Sequence, residues 1–384
     1  MEPKIRFKGF EGEWETQSLS DHNFSIIAGG DVDKKLLQNN GKYPVIANAL
    51  TNDGILGYYM DSFRVNGPAV TVTGRGDIGV AIARHYSFTP VVRLLSIKSN
   101  HNVDFLANAI NCYKAAKEST GVPQLTTAKL QEYRIPIPKE MDEENAIASY
   151  FTFLDSHISA STSRLAALKQ MKAASLQAMF PQEGETVPKI RFKGFEGEWK
   201  KVKLSEILTE RHENSTITDS LPQLSFTIAD GVIRPEDRKS NKRDFLIKDI
   251  DNKRYLVTKV GDIIYNPANV VYGAIHRNSL MNGVVSPIYK IFTTMQDSNF
   301  IECAVRRPSF ITKLAMCTEG TVTKLKTLKP EAFLNMEVCI TPSLEEQKLI
   351  GNYFTSLDRQ ISLQSQRLEK LKQIKSACLD KMFV

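Results

Sequence analysis

Two stretches of the chain carry a helical rhythm of apolar residues. Ile147, Phe151, Leu154, Ile158, Leu165, Leu168, Met171 and Met179 step by three, four and seven, and Ile350, Phe354, Leu357, Ile361, Leu368, Leu371, Ile374 and Met382 repeat the pattern. Such steps draw one stripe along an α-helix. No Pro or Gly interrupts the first stretch between Met141 and Phe180, and the second holds only Gly351, near its start. Asp142, Glu143 and Glu144 suit the positive end of the first helix, and Lys169 and Lys172 its later half. Ser343 with Glu346 has the spacing of a capping box. Pro181 and Gly184 end the first helix. Each would run about 40 residues, roughly 60 Å. A helix of that length needs a packing partner, and each copy is the obvious partner of the other. The pair is expected to form an antiparallel coiled coil. Equivalent polar breaks at Ser161 and Gln364 would fix its register. A stutter through Met171 and Ile374 would move Lys172 and Lys375 to the edge of the seam.

The remaining sequence has mixed texture. Ala69–Thr73 and Val91–Ile97 read as strands by their β-branched content, with Gly74-Arg-Gly-Asp77 as a turn between them. Asp104–Lys117 reads as a helix, Ser119–Pro123 as a loop, Thr127–Glu132 as a short helix and Tyr133–Pro138 as a strand. A second region follows a similar plan. There Asp262–Tyr265 and Val284–Phe292 are strands, and Phe300–Leu314 is a helix. Thr318–Thr323 is a loop, Pro330–Leu334 a short helix and Glu337–Ile340 a strand.

The chain is written twice. Pro3-Lys-Ile-Arg-Phe-Lys-Gly-Phe-Glu-Gly-Glu-Trp14 recurs unchanged as Pro188 to Trp199, and the helical stretch after Glu143 recurs after Glu346 with Tyr150/Tyr353, Asp155/Asp358, Arg164/Arg367 and Phe180/Phe383 in common. The two intervening segments share no obvious sequence. Constant pieces thus bracket variable ones, which describes a duplicated half-protein rather than a solenoid. The predicted class is α+β: two α/β lobes separated by a pair of long antiparallel coiled-coil helices, with pseudo-twofold internal duplication. The expected divisions are a first lobe over 1–140, a helical spacer and linker over 141–187, a second lobe over 188–342 and a second spacer over 343–384.

Composition narrows the function. Fifty Lys and Arg against 43 Asp and Glu give a net charge of +7, an excess that favours a polyanionic partner such as a nucleic acid. Five cysteines with no C-x-x-C pair point to neither a disulfide framework nor a zinc site. No run approaches the roughly 18 apolar residues of a membrane span, and no apolar signal core opens the chain, so a cytoplasmic protein is expected.

Arg and Lys can pair with guanine edges, and Asn and Gln with adenine edges. On predicted loops these are Lys34, Lys35, Asn48, Arg75 and Gln124 in the first lobe. In the second they are Arg234, Arg238, Lys242, Arg243, Asn266, Asn269, Lys324 and Lys326. Gly74, Gly76, Gly121 and Gly320 would let backbone N–H groups approach phosphates. His276, beside Arg277, is expected to be an ordinary exposed histidine. Asn266-Pro-Ala-Asn269 has only half of the tetrapeptide with which adenine methyltransferases hold a flipped base and reads as a turn. No Gly-rich nucleotide fingerprint or Walker loop is present.

The whole arrangement resembles the specificity subunit of type I restriction–modification enzymes. The resemblance rests on Ile135-Pro-Ile-Pro138 leading to Glu143-Glu144, and on Val338-Cys-Ile-Thr-Pro342 leading to Glu346-Gln347. It is supported by the Arg-Phe-x-Gly-Phe-x-Gly-x-Trp openings and by Gly76-Asp-Ile-Gly79 and Gly261-Asp-Ile-Ile264. Glu144 stands where that family usually has Gln. The resemblance implies two target-recognition domains, each reading half of a bipartite DNA target. It also implies helices that dock two modification subunits, for which Tyr150, Phe151, Tyr353 and Phe354 are the candidate contacts, together with restriction subunits. S-adenosylmethionine, magnesium and ATP would belong to those partners, and this chain would hold no metal, no cofactor and no catalytic residue. A stand-alone DNA-binding regulator, or a methyltransferase or nuclease with an unfamiliar site, remain the alternatives.

Overall fold

The computed structural model describes residues 2–113, 124–238, 254–318 and 327–383. It divides into two compact units, 1–163 with 365–384, and 164–364. The boundary cuts both long helices, Met141–Ala178 and Leu344–Met382. Each unit therefore contains one lobe, the N-terminal half of one helix and the C-terminal half of the other. This differs from the sequence divisions, because the helix halves carry core residues of the lobes they adjoin.

In the first unit, Phe24–Ala28, Leu94–Ser99, Ala69–Thr73 and Ala81–Arg84 form an antiparallel sheet in that order. Ala69–Thr73 is buried throughout. Val70 and Val72 face the main core, and Ala69 faces a smaller one with Ile46, Val65, Phe88 and Leu94. A strand covered on both faces reads as an unbroken apolar and β-branched run, as this one does. Val103–Cys112 lies against the sheet, its first turn capped by the Asn102 side chain at 3.0 and 3.1 Å. Glu15–Ser18 pairs with Arg134–Ile137 and leads the chain to the long helix.

The second unit repeats this plan with unrelated residues. Leu208–Glu210, Lys290–Thr294, Ile263–Tyr265 and Ile275–Arg277 form the corresponding sheet, and Lys200–Lys203 pairs with Glu337–Ile340. Several expected elements are shorter or split. Val91–Arg93 belongs to a turn before Leu94–Ser99, and Gly74–Asp77 opens a hairpin to the unforeseen strand Ala81–Arg84. Pro308 divides the predicted helix into Ser298–Val305 and Pro308–Met316. The predicted strand over 284–292 is two, Gly283–Val285 and Lys290–Thr294. The loop Ser119–Pro123 and most of Thr318–Thr323 lie outside the described residues.

Within each unit the helix halves run antiparallel. In the first, Tyr150 Oη is 3.5 Å from Cys378 Sγ and Asp155 accepts from Lys375 Nζ at 2.5 Å. In the second, Ser175 Oγ meets Tyr353 Oη at 3.0 Å and Lys172 Nζ donates to Asp358 at 2.5 Å. Both lysines are about one quarter exposed, at the seam's edge as the stutter predicts. Ser161 and Gln364 are buried.

The repeated openings fasten onto the helix starts. Arg6 makes a two-point ion pair with buried Glu143, 2.7 Å at each oxygen, and Trp14 Nε1 donates to the same carboxylate at 3.3 Å. Arg191 repeats the pair on Glu346 at 2.6 and 2.8 Å. The capping box at Ser343 is half formed. Its hydroxyl accepts the Glu346 N–H at 3.3 Å, but the Glu346 carboxylate is held by Arg191 and Thr341 instead of reaching back.

Candidate nucleic-acid interface

The loop after the third strand of each sheet occupies the same topological place in both lobes. In the first lobe it runs from Gly74 into Ala81–Arg84, and the Leu125 N–H donates to the Gly74 carbonyl at 3.1 Å. In the second it runs from Asn266 into Ile275–Arg277, and the Leu328 N–H donates to the Pro267 carbonyl at 3.1 Å. Five of the sequence candidates thereby fall on two equivalent sites, namely Asn48, Arg75 and Gln124 on one, and Asn266 and Asn269 on the other.

Their roles differ. Arg75 and Gln124 are exposed, with no hydrogen bond or ion pair on either side chain among the described residues. Asn48 is a brace. Its Oδ1 accepts the Gly74 N–H at 2.9 Å and its Nδ2 donates to the Val92 carbonyl at 3.1 Å, so the amide is committed to backbone on both sides. These two bonds make it a positioning group for the loop. Gly74 also has an internal reason to be glycine, since a Cβ there would collide with the carbonyls of Arg93 and Leu125. Asn266 Oδ1 accepts the Ala268 N–H at 3.0 Å, the turn predicted for this tetrapeptide. Asn269 is half-buried and heads the next turn without a side-chain cap.

Other candidates stand elsewhere. Lys34 and Lys35 sit on an exposed turn that begins at Asp33, whose carboxylate accepts the Lys35 N–H at 2.9 Å. Arg234 is exposed, 3.9 Å from Glu236, and Arg238 is half-buried, with its charge acting on Tyr289. Lys242, Arg243, Lys324, Lys326, Gly121 and Gly320 lie outside the described residues. His276 is buried, correcting the expectation of exposure. Its Nε2 bonds the Ile228 carbonyl at 2.8 Å and its Nδ1 lies 3.5 Å from Glu302.

Phe151 and Phe354 are fully buried, packing at a tilt within their own units against Phe383 and Phe180 respectively. Neither ring offers a surface to another chain, which corrects their assignment as partner contacts. Tyr150 and Tyr353 pack edge-on against Phe7 and Phe192. The apolar side chains that the long helices do expose include Phe153, Met171, Leu349 and Leu363. Two exposed residues at the loop sites escape sequence reasoning. Arg93 hides in an apolar run that reads as strand, and Tyr272, 63% exposed, carries no motif.

A lobe and a helix, each present twice and joined by the same clamp, make this a duplicated two-lobe protein. The chain belongs to the type I restriction modification DNA specificity domain family, whose model matches residues 11–170 and 196–373. That is the family of the sequence-specificity subunits of type I restriction–modification systems. A protein of Mycoplasma pneumoniae named as a type I specificity subunit is 30% identical over 154 residues, 38% of this chain and 42% of that relative. A second from the same organism is 29% identical over 167 residues, 41% and 50% of the two chains. The matched stretch thus spans half or less of these relatives. The specificity subunit of the type I restriction enzyme MjaVIII from Methanocaldococcus jannaschii is 22% identical over 289 residues, 70% of this chain and 65% of that one. The crystal structure of a type I restriction–modification S subunit from M. genitalium has the same fold, with a TM-score of 0.68 at 15% identity over 100% of this chain and 99% of that one. Among the described residues no helix is long and apolar enough to cross a membrane.

Proposed function

We propose that this chain is the sequence-reading subunit of a type I restriction–modification enzyme. Each lobe reads one half of a split DNA target through the loop after the third strand of its sheet. The observation that carries this is the pair of equivalent loops bearing different side chains, Arg75 and Gln124 in one lobe and Asn266 and Asn269 in the other. A common frame with dissimilar contact residues is what two different half-targets require, because phosphate contacts position a protein while base contacts specify it.

The chemistry belongs to partner subunits in this reading. Two modification subunits carry S-adenosylmethionine, and restriction subunits supply magnesium- and ATP-dependent steps. The outward faces of the long helices, Phe153 among them, are the surfaces offered for docking. The test is to express the chain with its modification subunit and map methylated bases across the genome. A split motif is expected, and swapping residues 15–135 for another lobe should change one half of it. No split motif, or tight site-specific binding by a chain that forms no complex with the modification subunit, overturns the reading.

A further inference from the structure

Val91, Val92, Arg93 and Leu94 form a tight turn closed by a hydrogen bond from the Leu94 N–H to the Val91 carbonyl at 3.0 Å. Arg93, at its third position, has φ +72°. Turns of this kind call for Gly or Asn there, because a side chain is strained in the left-handed region. A strained residue persists where its surroundings over-determine it, and such positions concentrate at functional sites. Here the surroundings are visible. Asn48 ties the Val92 carbonyl to the Gly74 N–H, and the bare Cα of Gly74 lets the Arg93 carbonyl come close. One amide therefore locks the turn bearing Arg93 to the loop bearing Arg75. The Arg93 side chain is exposed, and its guanidinium has no partner among the described residues.

We infer that Arg93 is a specificity-determining residue of the first lobe, reading a guanine edge, with Asn48 as its positioning residue. The inference rests on the DNA-reading function proposed above. A guanidinium on a pinned backbone is suited to the bidentate O6/N7 contact, whose geometry tolerates little error.

The test uses the full chain assembled with its modification subunits and a pool of randomised DNA duplexes, from which bound sequences are selected. Arg93→Gly removes the fork and suits the backbone, so its thermal midpoint should equal or exceed that of the unaltered chain. Its selected motif should lose one G·C pair in one half-target and keep the other half. Affinity for the original motif should fall about ten- to hundredfold. Arg93→Lys, which keeps charge but not the fork, should lose the same pair, and Asn48→Ala should blur it. An unchanged motif from Arg93→Gly overturns the inference, as does an equal loss of affinity for every duplex, the mark of a phosphate contact. If the unaltered assembly selects no motif, the DNA-reading function fails and the inference falls with it.

Discussion

Arg6 and Glu143, 137 positions apart in sequence, meet in a two-point ion pair whose carboxylate is almost wholly buried and whose guanidinium is 14% exposed. The Glu143 side chain holds Arg6 further above its ordinary pKa through this hydrogen bond, against the opposing effect of burial. Arg191 and Glu346 reproduce the contact in the second unit. The repeated opening therefore acts as a clamp on the helix start.

Removing one member of a buried pair strands the other charge, which costs about 3–5 kcal/mol. Arg6→Ala and Arg191→Ala are each expected to lower the stability of their own unit by that order, read as a fall in the urea midpoint of one transition. The exposed pairs Lys375–Asp155 and Lys172–Asp358 are a different case, since solvent screening limits such pairs to about 1 kcal/mol or less. Lys375→Ala should scarcely move the same midpoint. Equal effects from Arg6→Ala and Lys375→Ala would contradict the clamp.

The two units differ one residue further on. Glu144 accepts from the Asn102 N–H at 2.9 Å and lies 2.8 Å from His101 Nδ1. Gln347 accepts from the Asp297 N–H at 3.0 Å, and its Nε2 donates to Gln296 Oε1 at 2.8 Å and to the Thr341 carbonyl at 2.9 Å. Glu144→Gln can keep one oxygen on the backbone N–H and turn its amide towards a ring nitrogen able to accept, so a change below about 1 kcal/mol is expected. Gln347→Glu sets a carboxylate oxygen against two acceptors in a buried place, at a cost of about 1–3 kcal/mol or more. Thermal melts of the two variants should rank in that order, and the reverse ranking would refute this account.

The helices, the duplication and the strands around Ala69–Thr73 and Ile263–Tyr265 were legible because periodicity and β-branched runs are local signals. The clamp was not, although its residues stand in the repeated motif, because nothing local ties Arg6 to Glu143. The loop candidates were partly legible. Arg75 and Gln124 can be chosen by type and loop position, but Asn48 as a brace and Arg93 as a strained turn residue depend on which backbones approach Gly74. Phe151 shows the reverse failure, since an apolar stripe gives the buried face of a helix and does not say that nothing of it remains for a partner.

Acid should act on the second unit through Glu302. Burial alone would raise its carboxyl pKa, but the hydrogen bond from His276 and the charge of Arg306 more than offset this, leaving it below the ordinary value. A carboxyl lowered on folding contributes stability that is fully present above its unfolded pKa, near 4.3, and is lost as pH falls through the folded value. The stability gap between the unaltered chain and Glu302→Gln should therefore close progressively as pH falls below about 4. A gap that widens in acid would mean that Glu302 is not held charged by these partners.

Thiol chemistry offers a check on burial that needs no variant. The thiolate is the reacting form, so a raised pKa slows alkylation. Burial raises the Cys303 pKa strongly and that of Cys112 to about 11, whereas Cys317 is exposed. In the native chain at pH 8, iodoacetamide should label Cys317 first and leave Cys112 and Cys303 largely unreacted, as read by peptide mass spectrometry. Cys112 labelling should then rise about tenfold for each pH unit towards 11, in step with its thiolate fraction, provided the fold holds. In urea all three should react at similar rates, because the covering core is gone. Labelling of Cys303 in the native chain as fast as Cys317 would place it outside the core that surrounds Phe300 and Phe354, and the packing described for the second unit would have to be redrawn.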